Sequence, residues 1–169
     1  MAIQQETILN YSDNFFTESE AEKIYGYCLN AKYIYGETDN GDGSPVTGMT
    51  HNIPEDQYIY KFIAKTIYDR VEFIRDMKLY RMYINCFAPN ENPYFHVDGE
   101  GYTFLYYSDN EEFDLNEGGE TQFLVDNDLM GVLPVPNRMV IFDGTIKHRA
   151  TTYRSRHRFT IAIKYSPKV

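Results

Sequence analysis

Near its C-terminus the 169-residue chain reads RFTIAIKY over residues 158–165, and this stretch decides the fold. Alternate residues of a β-strand point to opposite faces of a sheet, so the pattern predicts a strand with two different faces. The apolar face carries Phe159, Ile161, Ile163 and Tyr165. The other face carries Arg158, Thr160, Ala162 and Lys164.

Other strands are predicted upstream, at residues 79–87, 102–107, 119–125, 130–135 and 139–142. These segments are short, rich in β-forming residues and separated by turn residues, which is typical of a sandwich or jelly roll. We therefore expect a mostly β protein, a jelly roll with supporting α-helices at its N-terminal side.

The helices are predicted in the first third of the chain. Thr17 and Glu20 form a capping box ahead of a helix over residues 21–30, with Ile24, Tyr25, Cys28 and Leu29 on one side. A second helix follows residues 54–56, with an apolar stripe of Ile59, Phe62, Ile63 and Ile67. We expect one domain over residues 1–169, with a helical support region at 1–78 and a β core at 79–169.

Composition narrows the functional classes. The net charge is −9, which argues against nucleic acid as a partner, because binding it requires a basic surface. There is no apolar run of the roughly 20 residues that a membrane helix needs, and residues 1–6 lack a signal-peptide pattern. The two cysteines, Cys28 and Cys86, cannot form a disulfide framework. We expect a cytoplasmic protein with reduced thiols and no membrane partner.

Three residues could hold a metal ion. His96 and Asp98 are two positions apart, so in extended chain they share a face, and His148 follows the predicted strand at 139–142. Two histidines and a carboxylate suit non-haem Fe(II) and leave coordination positions open. Read alone, the His-x-Asp triplet also fits a surface turn with an incidental ion pair, and the ligand set alone fits a zinc hydrolase.

Arg158 adds to this pattern. It begins a strand whose same-face neighbours Thr160 and Ala162 are small, and a buried arginine needs an anionic partner. No partner acid is evident in that strand, so the anion is a candidate ligand. A zinc hydrolase would give Arg158 no role.

With these residues in place, the sequence resembles the 2-oxoglutarate/Fe(II)-dependent dioxygenases, and within them the prolyl-hydroxylase-like branch. The resemblance covers residues 79–165 and implies a double-stranded β-helix, which is a jelly roll. It is carried by the order and spacing of HVD (96–98), TFLYY (103–107), EGGET (117–121), PNRMVIF (136–142), His148 and RFTIAI (158–163).

The resemblance implies roles for individual residues. His96, Asp98 and His148 match the iron ligands, and Arg158 matches the residue that pairs with the distal carboxylate of 2-oxoglutarate. Tyr107 resembles a tyrosine that bonds the same carboxylate in oxygen-sensing relatives, and Thr160 falls near the cosubstrate. The chain departs from the pattern at Phe87, where several prolyl hydroxylases have a tyrosine; Tyr83 or Asn85 could compensate. The implied cofactors are Fe(II), 2-oxoglutarate and O₂, with ascorbate as a further candidate.

The implied activity is hydroxylation of a prolyl residue in a peptide or protein, with decarboxylation of 2-oxoglutarate to succinate. Two alternatives stay open: the same chemistry on a free amino acid or small metabolite, and a non-catalytic jelly-roll binding module. Residues 87–95 and 108–118 would form the rim of the site. They are acidic and contain no Lys or Arg, so we expect a neutral or cationic peptide.

Three features are given structural interpretations. Gly118 and Gly119 are read as a turn, and His51 and His157 as bystanders. Residues 36–48 form a Gly-rich loop, either a lid or a plain surface connection. Its DNGDG run at 39–43 fails the EF-hand pattern, because glycines stand where calcium ligands are needed.

Overall fold

The computed structural model describes residues 9–39 and 44–168. In chain order the elements are β1 (Leu9–Ser12), α1 (Glu18–Asn30), β2 (Ile34–Tyr35), β3 (Met49–Asn52), α2 (Tyr58–Arg70), β4 (Met77–Phe87), β5 (Tyr102–Tyr107), β6 (Thr121–Val125), β7 (Asp128–Val132), β8 (Met139–Asp143), β9 (Lys147–Ala150) and β10 (Arg158–Pro167). Short 3₁₀ helices cover Glu72–Asp76 and Leu115–Glu117.

The strands of the described residues form two antiparallel sheets. The larger has seven strands in the order β1-β8-β5-β10-β4-β3-β2, and the smaller has three in the order β7-β6-β9. The predicted mostly β jelly roll with N-terminal helices is therefore confirmed.

Strand β10 lies inside the larger sheet, between β5 and β4. Its alternation is as predicted. Ile161, Ile163 and Tyr165 lie in the hydrophobic core that α1 and α2 also contribute to. Thr160, Ala162 and Lys164 line a cavity on the opposite face. One strand thus separates the structural core from the candidate site.

Both helices pack one apolar side onto the larger sheet. The predicted capping box is present: Glu20 N–H donates to Thr17 Oγ1 at 3.3 Å, and Thr17 N–H donates to Glu20 Oε2 at 2.9 Å. The buried helix positions are Ala21, Ile24, Cys28, Ile59, Ile63 and Ile67. Leu29, which the pattern placed inside, is 53% exposed.

Neither α-helix of the described residues combines the length and the apolar character needed to cross a bilayer. Both cysteines are buried and free, as expected of reduced thiols.

The sequence pattern does not reveal four of the strands. Strands β1, β2 and β3 fall within the predicted helical support region at 1–78, and β9 follows β8 after a short turn. Each has four residues or fewer and no clear alternation, so tertiary pairing rather than local pattern makes it a strand. The residues 1–6 used to judge a signal peptide lie outside the described part of the chain.

Gly101, directly before β5, tests the close packing of β5 against β10. Its φ is +120°, and a Cβ there would lie 2.0 Å from the carbonyl oxygen of Tyr165. We expect Gly101→Ala to lower the free energy of unfolding by about 2–4 kcal/mol, from backbone strain and overpacking. Chemical denaturation measures the change.

Gly26 provides the matched control, because it lies inside α1 and an added methyl group there would meet open space. Gly26→Ala should raise the free energy of unfolding by about 1 kcal/mol through helix propensity. Equal effects of the two substitutions would contradict the packing argument.

Candidate metal centre

Backbone pairing brings the two candidate histidine ligands together. His96 N–H donates to the carbonyl of His148, and His148 N–H donates to the carbonyl of His96, both at 2.9 Å. His148 lies on β9, which is aligned by β6, so the smaller sheet supplies one ligand. The segment before β5 supplies the other two, His96 and Asp98.

The histidine rings are oriented by carbonyl groups. His96 Nδ1 lies 3.1 Å from the carbonyl oxygen of Tyr94, and His148 Nδ1 lies 2.8 Å from that of Ile146. A carbonyl only accepts hydrogen bonds, so each Nδ1 carries the proton and each Nε2 keeps its lone pair. Both Nε2 atoms are therefore available as metal ligands.

These lone pairs converge on Asp98. His96 Nε2 lies 3.7 Å from Asp98 Oδ1, and His148 Nε2 lies 3.6 Å from Asp98 Oδ2. One potential ligand atom from each of the three residues lies within 4.8 Å of the others. The structure thus brings together the three residues that the sequence singled out as a metal set.

The protonation of the set suits a cation. Burial lowers the pKa of His148 to about 4, so this imidazole is neutral at pH 7. Burial opposes the ionisation of Asp98, but the Lys164 ammonium and its own hydrogen bonds outweigh burial and lower the pKa of the carboxyl. Two imidazole nitrogens and a carboxylate fit a divalent ion of the iron type.

Asp98 is held by two further side chains. Thr103 Oγ1 donates to Asp98 Oδ2 at 2.6 Å, and the Lys164 ammonium donates to Asp98 Oδ1. Only 6% of the Asp98 side chain is exposed. The carboxylate therefore has a defined orientation before any ion binds.

The triad lies in a cavity of about 230 Å³ whose floor is a ladder of β4 and β10 residues. Four cross-strand pairs make that floor: Arg158 with Phe87, Thr160 with Asn85, Ala162 with Tyr83, and Lys164 with Arg81. Arg158 is 1% exposed, whereas the Arg81 side chain is 34% exposed. The Arg158 end is closed and the Arg81 end opens to solvent.

Arg158 is buried, and its side-chain hydrogen bonds go to uncharged oxygen atoms. Its Nε–H donates to the carbonyl of Gly119 at 2.8 Å, and its Nη2 donates to Thr121 Oγ1 at 2.9 Å. Across residues 9–39 and 44–168, no carboxylate lies within salt-bridge distance of it. The nearby acid Asp109 forms its salt bridge with Arg156 at 3.8 Å, and burial raises the Asp109 pKa. A buried guanidinium in this setting is prepared for an anionic ligand.

Tyr107 lies beside Arg158 but outside the cavity lining formed by the described residues. The Arg158 guanidinium carbon lies 5.3 Å from the centre of the Tyr107 ring. The Tyr107 hydroxyl donates to the carbonyl of Val132 at 3.2 Å and lies 2.6 Å from Thr121 Oγ1. The Tyr107 hydroxyl is thus hydrogen-bonded to the smaller sheet and is linked to Arg158 only through Thr121 among the described residues. Direct contact of Tyr107 with a cosubstrate stays a prediction.

Thr160 faces the cavity with a free hydroxyl. The residue is fully buried, and its Oγ1 has no hydrogen-bond partner among the described residues. Phe87 lines the same cavity, together with Tyr83 and Asn85. Whether either of these compensates for the missing tyrosine hydroxyl stays a prediction.

The loop at residues 36–48 contributes to the cavity wall through Glu37, Thr38, Asp39 and Thr47. Asp39 Oδ2 accepts from Tyr94 N–H at 2.8 Å and from Thr47 Oγ1 at 3.0 Å. These bonds attach the loop to the segment that carries His96. Residues 40–43, which hold most of the DNGDG run, lie outside the described residues.

The acids of the two predicted rim segments do not reach the cavity. Within residues 87–95 and 108–118, all of which are described, Phe87 alone lines it. Glu91 accepts backbone N–H groups of Gly48 and Ala88 instead. The preference for a neutral or cationic peptide stays a prediction.

His51 lies outside the cavity lining, where it bonds the Tyr27 hydroxyl at 3.1 Å and the Lys32 carbonyl at 2.9 Å. His157 is exposed. Sequence reasoning missed Lys164 and Arg81 as site residues. The alternation of β10 placed Lys164 on the face of Arg158, and this signal could have identified it.

No protein-family model matches the chain, and no curated protein matches its sequence. Solved structures do match. A prolyl-4-hydroxylase from Pseudomonas putida superposes with a TM-score of 0.77 at 14% identity, covering 97% of this chain and 95% of that one. A prolyl hydroxylase from Trichoplax adhaerens, in complex with a hypoxia inducible factor peptide fragment, gives 0.76 at 14% identity, with 94% and 83% covered.

HygX from Streptomyces hygroscopicus, with nickel, 2-oxoglutarate and hygromycin B bound, gives a TM-score of 0.74 at 11% identity, covering 96% of this chain and 84% of HygX. These likenesses show that the chain has the fold of the 2-oxoglutarate/Fe(II) oxygenases, including prolyl hydroxylases. The sequence resemblance is confirmed at the level of the fold.

The low pKa of His148 predicts an acid-dependent stability of the metal-free protein. The unfolded chain protonates this imidazole below its ordinary pKa of 6.5, whereas the folded chain does so only near pH 4. The contribution of neutral, buried His148 to the free energy of unfolding is fully present above pH 6.5 and is lost as the pH falls towards 4. We expect the loss to be roughly 3 kcal/mol, measured by denaturation in the presence of a chelator.

His148→Gln should flatten this part of the pH profile, because the variant has no imidazole to protonate. His157→Gln removes an exposed histidine and serves as the control. A wild-type profile no steeper than that of His148→Gln would show that this imidazole is not buried in its neutral form.

Proposed function

We propose that the chain is an Fe(II)- and 2-oxoglutarate-dependent dioxygenase. One observation carries this proposal: a His-Asp-His set lines the same cavity as a buried arginine that has no carboxylate partner within residues 9–39 and 44–168. The set suits Fe(II), and the arginine suits the distal carboxylate of a dicarboxylic keto acid. A zinc hydrolase would use the first feature and leave the second unexplained.

In this proposal His96, Asp98 and His148 hold the iron, and Arg158 binds the distal carboxylate of 2-oxoglutarate. When bound, Fe(II) and O₂ supply the oxidative chemistry, in which 2-oxoglutarate becomes succinate and CO₂ and the substrate gains one oxygen atom.

The residues of the chain position the cosubstrate and exclude water from the cavity. Arg158 is held by Gly119 and Thr121, so a carboxylate bound to it has one orientation. The unpaired hydroxyl of Thr160 is a hydrogen-bond donor for the same ligand. The cavity also has apolar lining residues, which are Leu105, Phe142 and Ala162.

The proposed substrate is a prolyl residue in a peptide or protein. Both the Pseudomonas putida and the Trichoplax adhaerens structures with this fold are prolyl hydroxylases, and the second holds a peptide. A small-molecule substrate is the second candidate, favoured by the HygX structure with hygromycin B bound.

Arg158→Gln tests the cosubstrate site. We expect the variant to bind 2-oxoglutarate at least about a hundredfold more weakly, because removing one partner of a buried ion pair costs about 3–5 kcal/mol. The measurement is anaerobic titration of Fe(II)-loaded protein, followed by the visible charge-transfer band of the Fe(II)–keto-acid chelate.

Arg154→Gln is the matched control, since Arg154 is exposed four residues away. His148→Ala should abolish the band. Absence of the band in folded, metal-loaded wild-type protein would overturn the proposal and favour a binding module without catalysis.

The substrate class is tested with peptide pairs that differ only by Pro→Ala. We expect the proline member to gain the mass of one oxygen atom in a mass spectrum, with succinate formed in equal amount. If succinate forms only with small metabolites in place of peptides, the oxygenase class stands and the prolyl assignment fails.

A further inference from the structure

Two cations lie at the open end of the cavity, opposite the end that Arg158 closes. Lys164 and Arg81 are directly paired across β10 and β4, so their side chains share the cavity face. The Arg81 guanidinium carbon lies 3.9 Å from the centre of the Tyr83 ring, and Lys164 Nζ lies 5.5 Å from it. Tyr83 thus holds both cations near one place.

This end is separate from the proposed cosubstrate end. Lys164 follows Arg158 by six residues, which is about 20 Å along an extended strand. A keto acid held by both Arg158 and the metal set would occupy the closed part of the cavity. Lys164 touches Asp98 at the other end of the ladder, where a substrate would enter.

The charge of Lys164 is poorly compensated once Asp98 serves as a metal ligand. Among the described residues, Asp98 is the only acid within salt-bridge distance of Lys164. One carboxylate cannot balance both a divalent ion and an ammonium, and a buried cation without an anion is costly. Only 11% of the Lys164 side chain is exposed, so water does little to stabilise it.

The other acids of the cavity have different partners. Glu37 pairs with Arg81 at the mouth. Asp39 accepts bonds from Tyr94 and Thr47. Neither lies within salt-bridge distance of Lys164, so residues 9–39 and 44–168 offer this ammonium no carboxylate besides Asp98.

We propose that Lys164, assisted by Arg81, binds a carboxylate of the substrate. This inference rests on the proposed oxygenase function and specifies its substrate class. A monoanion matches one uncompensated ammonium, since Arg81 already has Glu37. The carboxylate comes either from the C-terminal or free acid group of the reacting residue or from an acidic side chain beside it.

The test compares acids with their amides on protein loaded with nickel and 2-oxoglutarate, as in the HygX structure. Calorimetry first measures 2-oxoglutarate binding, then the binding of N-acetylproline and N-acetylprolinamide. A second pair, acetyl-Pro-Glu-amide and acetyl-Pro-Gln-amide, tests a side-chain carboxylate. We expect one acid to bind at least about tenfold more tightly than its amide, the size of a charge-assisted hydrogen bond.

Substitutions then assign the preference to Lys164. Lys164→Gln should remove it, Lys164→Arg should keep most of it, and Lys61→Gln, at an exposed helix position, should leave it unchanged. Arg81→Gln should reduce the preference and serves if Lys164→Gln does not fold. If Lys164 only positions Asp98, Lys164→Gln would weaken nickel binding and leave the acid-to-amide ratio unchanged, which overturns the inference.

The outcomes separate the two proposals. Failure of 2-oxoglutarate to bind would defeat the oxygenase function itself. Binding of 2-oxoglutarate with equal or tighter binding of the amides, or with no binding of either acid, would defeat only the carboxylate site.

Discussion

Strand β10 carries two cations into the protein interior, and the rest of the site is arranged around the cost of burying them. Arg158 is 1% exposed and Lys164 is 8% exposed. Buried charges are tolerated only when hydrogen bonds and opposite charges replace water. Gly119 and Thr121 satisfy part of the first cation, and Asp98 satisfies the second. The candidate metal set contains the same Asp98, so ion binding and charge burial are coupled through one carboxylate.

The two sheets are joined at the candidate metal set. The reciprocal backbone bonds between His96 and His148 join the segment before β5 to β9 of the smaller sheet. Thr121 of β6 reaches Arg158 of β10 by a side-chain bond. The smaller sheet therefore supplies a contact to each part of the proposed chelate, and displacement of that sheet would disturb both together. This explains why the cavity lies between the sheets rather than at an edge of either.

Much of this site could be predicted from the local sequence pattern. The remaining features depend on pairing between strands that are far apart in the sequence. The period of two in residues 158–165 placed Arg158 and Lys164 on one face, and the same rule paired His96 with Asp98. The contact between Lys164 and Asp98 depends on the register of β10 against β5, which joins residues about sixty positions apart. Strand β9 is too short to show a pattern. The hydroxyl of Tyr107 turns to Val132 because the smaller sheet packs over it.

The asymmetry of the cavity suggests how one fold serves different substrates. The Arg158 end is closed by β6 and by core residues, and in the proposed function it holds the distal carboxylate of 2-oxoglutarate. The Arg81 end is bordered by the loop at 36–48, whose Glu37 pairs with Arg81, and by β3 of the larger sheet, whose Asn52 side chain accepts a hydrogen bond from Arg81 Nε–H. Two residues connect this end to the metal set: Lys164 donates to Asp98, and Asp39 Oδ1 lies 3.8 Å from His96 Nδ1. Structures that share this fold hold molecules as different as a peptide and hygromycin B. One of these connecting residues is a lysine, and in the proposed function its ammonium selects substrates by their charge.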